Sequence, residues 1–131
     1  MIYLYKILKR FAPWLLTLWV ILILVFSSLP RLPRINIDLV YIRIDHALHF
    51  SEYFGLAFLT ILTFVKGHDR EGRKRILYLI LYLILFACAD EAHQLLIPGR
   101  STSLLDLLAN TLGIITGVLI TLWFDRKAFK A

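Results

Sequence analysis

Four long apolar stretches dominate the chain, at roughly 11–29, 44–65, 76–97 and 104–124. An α-helix rises about 1.5 Å per residue, so about 20 apolar residues cross the hydrocarbon core of a membrane, which is about 30 Å thick. The composition agrees, because 60% hydrophobic and 14% aromatic residues in 131 positions exceed what a soluble core of this size requires. The sequence therefore predicts an all-α, integral membrane four-helix bundle that forms one domain, residues 1–131.

Positive charge is unequally distributed between the connections. Eleven of the 15 Lys and Arg residues fall within 1–10, 66–75 and 126–131, on the side that holds both termini, and the other four are Arg31, Arg34, Arg43 and Arg100. Since short cytoplasmic loops collect Lys and Arg, this pattern predicts both termini in the cytoplasm. The net charge of +6 then reflects topology and contact with anionic lipid, and no nucleic acid is expected as a partner.

Residues 31–43, between the first two predicted helices, form a short irregular or interfacial segment. The alternating start of I-N-I-D-L-V-Y-I-R fits a short strand, whereas the length of the segment fits a helix lying at the interface. Both interpretations stay open. If the segment covers a binding site, Arg34, Asp38 or Arg43 would contact the ligand.

Ionisable and polar side chains interrupt the apolar stretches at one end only. Such residues are costly inside a membrane and usually mark a site. At about 100° per residue, each group shares one face of its helix. The part of each stretch nearer the cytoplasm, by contrast, lacks ionisable residues. A channel or a pump needs polar groups through the full depth of the membrane, so this pattern argues against both. The groups are Asp45, His49, Glu52 and Tyr53 in the second stretch, Asp90, Glu91 and Gln94 in the third, and Asp106 and Asn110 in the fourth, where Gly113 and Gly117 continue the same stripe.

The connection between the third and fourth stretches is short and rich in turn-forming residues. Pro98 stops the third helix and Gly99 permits a turn. Ser103 is a plausible N-cap for the fourth helix, and Asp106 in its first turn is favourable at the positive end of the helix dipole. Gly113 and Gly117 form a small-xxx-small pair, which predicts close approach of another helix.

Arg100 in this connection is expected to lie over the extracytoplasmic mouth of the site. Two interpretations stay open. It either neutralises Asp90, Glu91 and Asp106 in a structural ion pair, or it presents its guanidinium group to a phosphate or carboxylate of a ligand.

Two stretches of the sequence resemble the VanZ-like family of small bacterial membrane proteins, named for a protein associated with resistance to teicoplanin-type glycopeptide antibiotics. They are D-H-A-L-H-F-S-E-Y, from Asp45 to Tyr53, and D-E-A-H-Q-L-L-I-P-G-R-S-T-S-L-L-D-L-L-A-N-T-L-G, from Asp90 to Gly113. The family more often has Lys where this chain has His46. The resemblance implies a multi-pass protein of the bacterial cytoplasmic membrane with a role in the cell envelope, and it does not supply a reaction.

The first functional hypothesis is recognition without catalysis. An extracytoplasmic polar pocket would bind a lipid-linked or anionic envelope component, with Arg100 holding the anionic group and His49, Gln94 and Asn110 donating hydrogen bonds. The expected partners are membrane lipids, a lipid-linked cell-wall precursor or an amphiphilic glycopeptide. The remaining predicted ligand-binding residues are Asp45, Glu52, Tyr53, Asp90 and Asp106.

The alternative is a membrane-embedded hydrolase or transferase acting on a lipid-linked substrate. Glu91 would be the general base, His49 an acid or base, and Arg100 would stabilise negative charge in the transition state. No cofactor is predicted, although a variant of this hypothesis adds a divalent metal held by Asp45, His49, Asp90 and Glu91.

A purely structural role, in which the polar residues only lock the helices together, is a third hypothesis. Polar contacts between membrane helices are worth only about 0.6 kcal/mol on average. So many costly groups would be an inefficient source of stability.

Overall fold

The computed structural model of the chain is built from four α-helices, and it describes residues 2–30, 38–65 and 70–129. The helices are α1 (Ile2–Ser28), α2 (Asp38–Phe64), α3 (Arg70–Gln94) and α4 (Leu104–Phe129). Each is long and apolar enough to cross a membrane, and the described part of the chain contains no strand. The predicted all-α bundle with four membrane-spanning helices is confirmed.

The N-terminal end of α2 differs from the prediction. The helix begins at Asp38 and not near residue 44, so the backbone of 38–43 is neither a strand nor a separate element. Arg43 interrupts the apolar pattern there, but residues 38–43 contain no Gly or Pro, and a single Arg does not break a helix. The rest of the predicted irregular segment, 31–37, lies outside the described residues.

The C-terminal end of α3 also differs from the prediction, because the helix ends at Gln94 and not at Ile97. The backbone N–H groups of Leu96 and Ile97 bond carbonyls three residues back, at 2.9 and 3.1 Å, and so form tight turns. Pro98 favours this early end, because it has no N–H to donate to the Gln94 carbonyl four residues back and its ring would clash with that oxygen in a continued helix. Gly99 follows with a φ of 76°, the left-handed conformation that glycine adopts without strain.

α2 and α4 pack backbone against backbone. A Cβ atom at Gly113 would lie 2.4 Å from the carbonyl oxygen of Phe50, and one at Gly117 would lie 2.6 Å from the carbonyl oxygen of Phe54. Both distances are far inside van der Waals contact, so only glycine fits. The predicted small-xxx-small contact is confirmed, and it draws Asp106 and Asn110 of α4 towards α2.

α1 is attached to α2 by a tryptophan. The indole N–H of Trp19 donates a hydrogen bond of 2.8 Å to the carbonyl oxygen of Glu52. A Cβ atom at Gly55 would lie 2.6 Å from the Trp19 ring, so the ring occupies the space that a side chain would fill. This contact holds α1 beside the part of α2 that carries His49 and Glu52.

The apolar core lies between the helices, while most large apolar side chains face outwards, as expected for a bundle in lipid. Leu77 and Leu81 of α3, for example, are largely exposed on the outer surface. Buried core residues come from all four helices: Ile23, Tyr53, Leu56, Ala57, Ile61, Val65, Leu83, Ala87, Ile114 and Val118.

A buried carboxylate lies at the end of the bundle where α1 begins and α4 ends. Asp125 is 1% exposed, and its Oδ1 atom accepts a hydrogen bond from the Tyr5 hydroxyl group and lies 3.2 Å from Lys9 Nζ. These contacts tie the first turns of α1 to the last turns of α4. Tyr5 itself is half-buried in this contact.

Candidate functional site

The polar residues of α2, α3 and α4 assemble at the opposite end of the bundle, where α1 and α3 end and α2 and α4 begin. Successive helices run in opposite directions, so the first turns of α4 and the N-terminal half of α2 lie beside the last turns of α3. His49, Asp90, Glu91, Asp106 and Asn110 are buried there. The structure thus brings together residues that are up to 61 positions apart in the sequence.

Asn110 is the centre of one hydrogen-bond network. It is fully buried, its Nδ2 donates to Glu91 Oε1 at 2.9 Å, and its Oδ1 lies 3.1 Å from His49 Nδ1. An amide oxygen can only accept, so His49 Nδ1 is the donor in this contact. Glu91 Oε1 lies 3.5 Å from the same nitrogen. In the neutral imidazole, the lone pair of His49 is therefore on Nε2.

Asp90 is the centre of a second network. Its Oδ2 accepts hydrogen bonds from the Tyr53 hydroxyl group at 3.1 Å and from Gln94 Nε2 at 3.2 Å. The amide oxygen of Gln94 in turn accepts from Arg100 Nη1 at 3.1 Å. Tyr53, Asp90, Gln94 and Arg100 thus form a continuous chain from the apolar core to the surface.

Arg100 binds the C-terminal end of α1. Its Nε donates to the carbonyl oxygen of Leu29 at 3.2 Å, and Nη2 donates to that of Phe26. The last carbonyls of a helix lack partners within the helix and attract cations, so Arg100 caps α1. No carboxylate of the described residues lies within ion-pair distance of it, so the geometry does not support the ion-pair interpretation. Three of its five N–H groups are used, and one remains on each of Nη1 and Nη2.

Ser103 and Asp106 form a capping box at the start of α4. The Asp106 backbone N–H donates to Ser103 Oγ at 3.1 Å, while the Ser103 backbone N–H and hydroxyl group donate to Asp106 Oδ2 at 3.0 and 2.8 Å. This confirms the predicted N-cap. The other oxygen of Asp106, Oδ1, lies 3.3 Å from His46 Nε2.

A cavity of about 410 Å³ opens beside these networks, between the end of α1, the start of α2 and Arg100. Glu91, Asn110, Asp90 and Tyr53 do not line it; they contact His49 and Gln94, which do, either directly or through one another. Of the predicted site residues, the wall therefore contains only half. Its polar residues are Ser27, Asp45, His49, Glu52, Gln94 and Arg100, and its apolar residues are Phe26, Leu29, Pro30, Ile44 and Leu48.

The contribution of α1 was not predicted. Ser27 is buried in the cavity wall, and the Phe26 and Leu29 carbonyls fix Arg100. α1 carries no ionisable residue near this end, so its sequence gave no signal of a site. His93, which neighbours the predicted residues of α3, is exposed and lies 3.1 Å from Ser28 Oγ, outside the two networks.

Among the residues whose side chains the structure describes, the site holds five carboxyl groups and one arginine. Three carboxylate oxygens, Asp90 Oδ1, Glu91 Oε2 and Asp106 Oδ1, are buried without a hydrogen bond, as is the hydroxyl group of Ser27. Buried polar atoms without partners are rare and costly, and they point to water or an ion. The five acidic residues are Asp45, Glu52, Asp90, Glu91 and Asp106.

The sequence-based metal hypothesis grouped Asp45 and His49 with Asp90 and Glu91. Among the described residues, the structure groups them with Asp106 instead: each of Asp45, His49 and Asp106 offers a ligand atom, and the three atoms lie within 4.8 Å of one another. Asp90 is directed to Tyr53 and Gln94.

A family model described as VanZ/LLP1 matches residues 7–125. No curated protein and no solved structure matches the chain. The matched region contains the cavity wall and both hydrogen-bond networks, so the site lies within what the family model covers. Because the match extends over nearly the whole sequence, the chain belongs to the VanZ/LLP1 family.

Proposed function

We propose that this chain is a cell-envelope membrane protein that recognises the anionic headgroup of a membrane lipid or lipid-linked envelope component. The observation that carries the proposal is the amphipathic wall of the cavity. Arg100, Gln94 and His49 are on its polar side, whereas Leu29, Ile44 and Leu48 are about half exposed, at 51%, 53% and 55%. An opening bordered by exposed apolar side chains suits a ligand that enters from the lipid phase.

Arg100 is suited to hold a phosphate group. Its guanidinium group is already fixed by Gln94 and by the two carbonyls at the end of α1, so little conformational entropy is lost on binding. The two remaining N–H groups, one on each terminal nitrogen, form a fork that matches two phosphate oxygens.

The carboxyl groups of Asp45 and Glu52 line the same cavity. They accept hydrogen bonds from hydroxyl or ammonium groups and repel a simple anion. The wall therefore favours a headgroup that joins a phosphate to hydroxyl or amino groups, such as a phosphoglycerol, phosphoethanolamine or phosphosugar.

A second, apolar cavity of about 560 Å³ lies between α1, α2 and α3 and is lined by residues such as Val20, Leu56 and Leu83. Along α2, Glu52 lines the polar cavity, and Leu56 and Thr60 line the apolar one at intervals of four residues. Positions four apart are neighbours on one helix surface, about 6 Å apart along the axis. This placement supports an amphiphilic ligand, with its hydrocarbon chain in the apolar cavity.

The charge distribution of the loops favours an extracytoplasmic position for the polar cavity. In that orientation the cavity meets phospholipid headgroups, lipid-linked wall precursors and amphiphilic glycopeptides. A contribution to teicoplanin-type resistance would follow if the bound component is the antibiotic or its target. That link rests on the association of the family with resistance and is part of the proposal.

The test is lipid retention by the full chain. The protein would be reconstituted in nanodiscs with phosphatidylethanolamine, phosphatidylglycerol, cardiolipin and an undecaprenyl-linked wall precursor, repurified, and its retained lipids quantified by mass spectrometry. We expect enrichment of one headgroup class, reduced about tenfold in Arg100→Lys, which keeps the charge but loses the fork. Arg73→Lys, at an exposed arginine of α3, is the matched control and should retain the same lipid.

Absence of any enriched lipid, or equal enrichment in parent and Arg100→Lys, would overturn the proposal. Because Arg100 also caps α1, the thermal unfolding of each variant is compared with that of the parent. A loss of retention counts only where the variant remains folded.

A second candidate function is hydrolysis or transfer of the lipid headgroup, and the orientation of His49 favours it. Asn110 fixes the donor at Nδ1, so the Nε2 lone pair is available to accept a proton from a water or acceptor hydroxyl that attacks the headgroup phosphorus. As the new P–O bond forms, the P–O bond to the leaving alcohol breaks, and the protonated His49 returns the proton to the leaving oxygen. The Arg100 fork would stabilise the developing negative charge. Glu91, the general base predicted from the sequence, lies 3.5 Å from His49 Nδ1 and would stabilise the positive charge that His49 gains when it accepts the proton. A mass change of the retained lipid with time, lost in His49→Gln while retention persists, would establish this function over simple recognition.

A further inference from the structure

Asp45 and His49 of α2 line the cavity and lie close to Asp106 of α4. They lie four residues apart on α2, the separation that places two side chains on successive turns of one face. One ligand atom from each of the three residues lies within 4.8 Å of the others. We propose that this cluster binds a divalent transition-metal cation, through two carboxylate oxygens and one imidazole nitrogen.

The orientation of His49 is an independent observation that supports the proposal. Histidine ligands of metals usually donate their other N–H group to a carboxylate or carbonyl oxygen, which fixes the ring and directs the lone pair to the metal. His49 has this arrangement: Nδ1 donates to Asn110 Oδ1 at 3.1 Å, and Glu91 Oε1, itself held by Asn110, lies 3.5 Å away. Nε2 is then the ligand atom.

The buried oxygens without hydrogen bonds are a second observation. Asp106 is only 4% exposed, and its Oδ2 accepts the capping hydrogen bonds of Ser103. Its Oδ1 accepts no hydrogen bond, although His46 Nε2 lies 3.3 Å away. Coordination of a cation by Oδ1 would satisfy this atom, which is already fixed in position by the capping box.

The charge of the site gives the cation a role in ligand binding. A phosphate group that enters the cavity is repelled by the carboxylates in and around its wall. A divalent cation reverses this, and three protein ligands leave at least one coordination position open for a phosphate oxygen. This role rests on the proposed recognition of an anionic headgroup, whereas cation binding itself does not. With the cation bound, His49 Nε2 is a ligand and does not serve as a base.

The donor set selects the class of metal. Oxygen-only sites suit Mg²⁺ and Ca²⁺, whereas an imidazole together with carboxylates suits Mn²⁺, Fe²⁺ or Zn²⁺. The site should not prefer soft metal cations, because its three donor groups include no thiolate or thioether. Mn²⁺ and Zn²⁺ are therefore the probes.

The experiment measures binding of Mn²⁺ and, separately, Zn²⁺ to the full chain in phosphatidylcholine nanodiscs, which carry no anionic lipid to compete for the cations. Isothermal titration calorimetry should show one saturable site per chain for at least one of the two metals. His49→Gln and Asp45→Asn should each raise the dissociation constant by at least about tenfold. For bound Mn²⁺, pulsed electron paramagnetic resonance should detect a coupled imidazole nitrogen that is absent in His49→Gln.

Two matched controls separate ligation from general effects of charge. His93→Gln changes an exposed histidine of α3 outside the networks, and Glu71→Gln changes an exposed carboxylate at the opposite end. Both should bind the metal as the parent does. Asp106→Asn also disturbs the capping box, so Asp45→Asn and His49→Gln carry the test.

The proposal is overturned if neither metal binds above the level of empty nanodiscs, or if the two ligand variants bind as tightly as the controls. Lipid retention, measured with and without EDTA, reports on the proposed function separately. Specific metal binding without retained lipid would leave the cation site standing and the headgroup proposal refuted. Lipid retention by a chain that binds no metal would do the reverse.

Discussion

Carboxyl groups are buried at both ends of the bundle, but the two ends differ in the partners that these groups have. At one end, Asp125 has a cation and a hydroxyl group on the same oxygen, from Lys9 and Tyr5. At the other end, Asp90, Glu91 and Asp106 are buried, and Arg100 is bound to α1 carbonyls and to Gln94 rather than to a described carboxylate. Within the described residues, all four buried side-chain atoms without a hydrogen bond lie at this second end. A buried carboxyl group alone therefore does not mark function, whereas buried carboxylate oxygens without a hydrogen bond favour a binding site.

The Asp125 contact fits a structural role. It joins the first turns of α1 to the last turns of α4. The two side chains that meet, Tyr5 and Asp125, are 120 residues apart in the sequence. A paired buried charge contributes little net stability, but loss of one partner leaves the other uncompensated and is strongly destabilising. The value of the contact is thus in holding the end of the bundle closed.

The largest expected effect is at this closed end. Lys9→Met would keep the apolar stem of the side chain and remove the cation, so that Tyr5 would be the remaining partner of Asp125 among the described residues. We expect the free energy of unfolding to fall by about 3 kcal/mol, the low end for a broken buried pair, because the Lys9 side chain is 29% exposed. Reversible unfolding in mixed detergent micelles would measure it, and lipid retention by the folded variant should be unchanged.

Lys74→Met is the control for Lys9→Met. Lys74 pairs with Glu71 at 2.9 Å, but both side chains are more than half exposed. Such surface pairs contribute at most about 0.5 kcal/mol in a helix. If the two variants lose equally little stability, Asp125 is not held by Lys9 as the contact indicates, and the contrast between the two ends fails.

The contrast also shows what the sequence could and could not predict. The four spans follow from the apolar stretches, because hydrocarbon admits only backbones that satisfy their own hydrogen bonds. The meeting of His49, Glu91 and Asn110 follows from helical periodicity and from the antiparallel order of short-looped helices. Gly113 and Gly117 fix the contact of α2 with α4, and this too could be predicted.

Other features had no local signal. Arg100 was expected either to pair with carboxylates or to bind an anionic group of a ligand. Its partners among the described residues are Gln94 and two backbone carbonyls of α1. Every residue has a carbonyl group, so no sequence pattern reveals such a contact. Asp125 precedes Arg126 and Lys127 in a basic stretch, and no local pattern marks it as buried. Its burial depends on Tyr5 and Lys9, which are far away in sequence. The start of α2 at Asp38 was missed because apolar periodicity, interrupted by Arg43, is a poor guide to where a helix begins.

A smaller effect is expected at the capping box, which is the compensated part of the site end. Ser103→Ala would remove a hydroxyl group that accepts from the Asp106 N–H and donates to Asp106 Oδ2. Loss of an N-cap of this kind costs about 1 kcal/mol. Unfolding in mixed micelles would measure the loss, and Ser51→Ala, at an exposed serine that bonds only within its own helix, is the control with no expected effect. If the free energy of unfolding fell by about 3 kcal/mol instead, Asp106 would depend on Ser103 as strongly as Asp125 is expected to depend on Lys9.

The smallest expected effect on stability, and the only one of opposite sign, is at Glu91. Glu91→Gln keeps an oxygen that accepts from Asn110 Nδ2, but it removes a negative charge close to Asp106 and Asp90. The free energy of unfolding should therefore stay unchanged or rise by up to about 1 kcal/mol, as often happens when a functional site is neutralised. Asp125→Asn, the same class of neutralisation at the closed end, should instead lower it, because the amide loses the attraction of Lys9. Unfolding of both variants in the same micelles measures the difference in sign. If Glu91→Gln is as destabilising as Asp125→Asn, the carboxyl groups of the site are compensated within the protein. The unsatisfied oxygens would then no longer argue for a bound cation or headgroup.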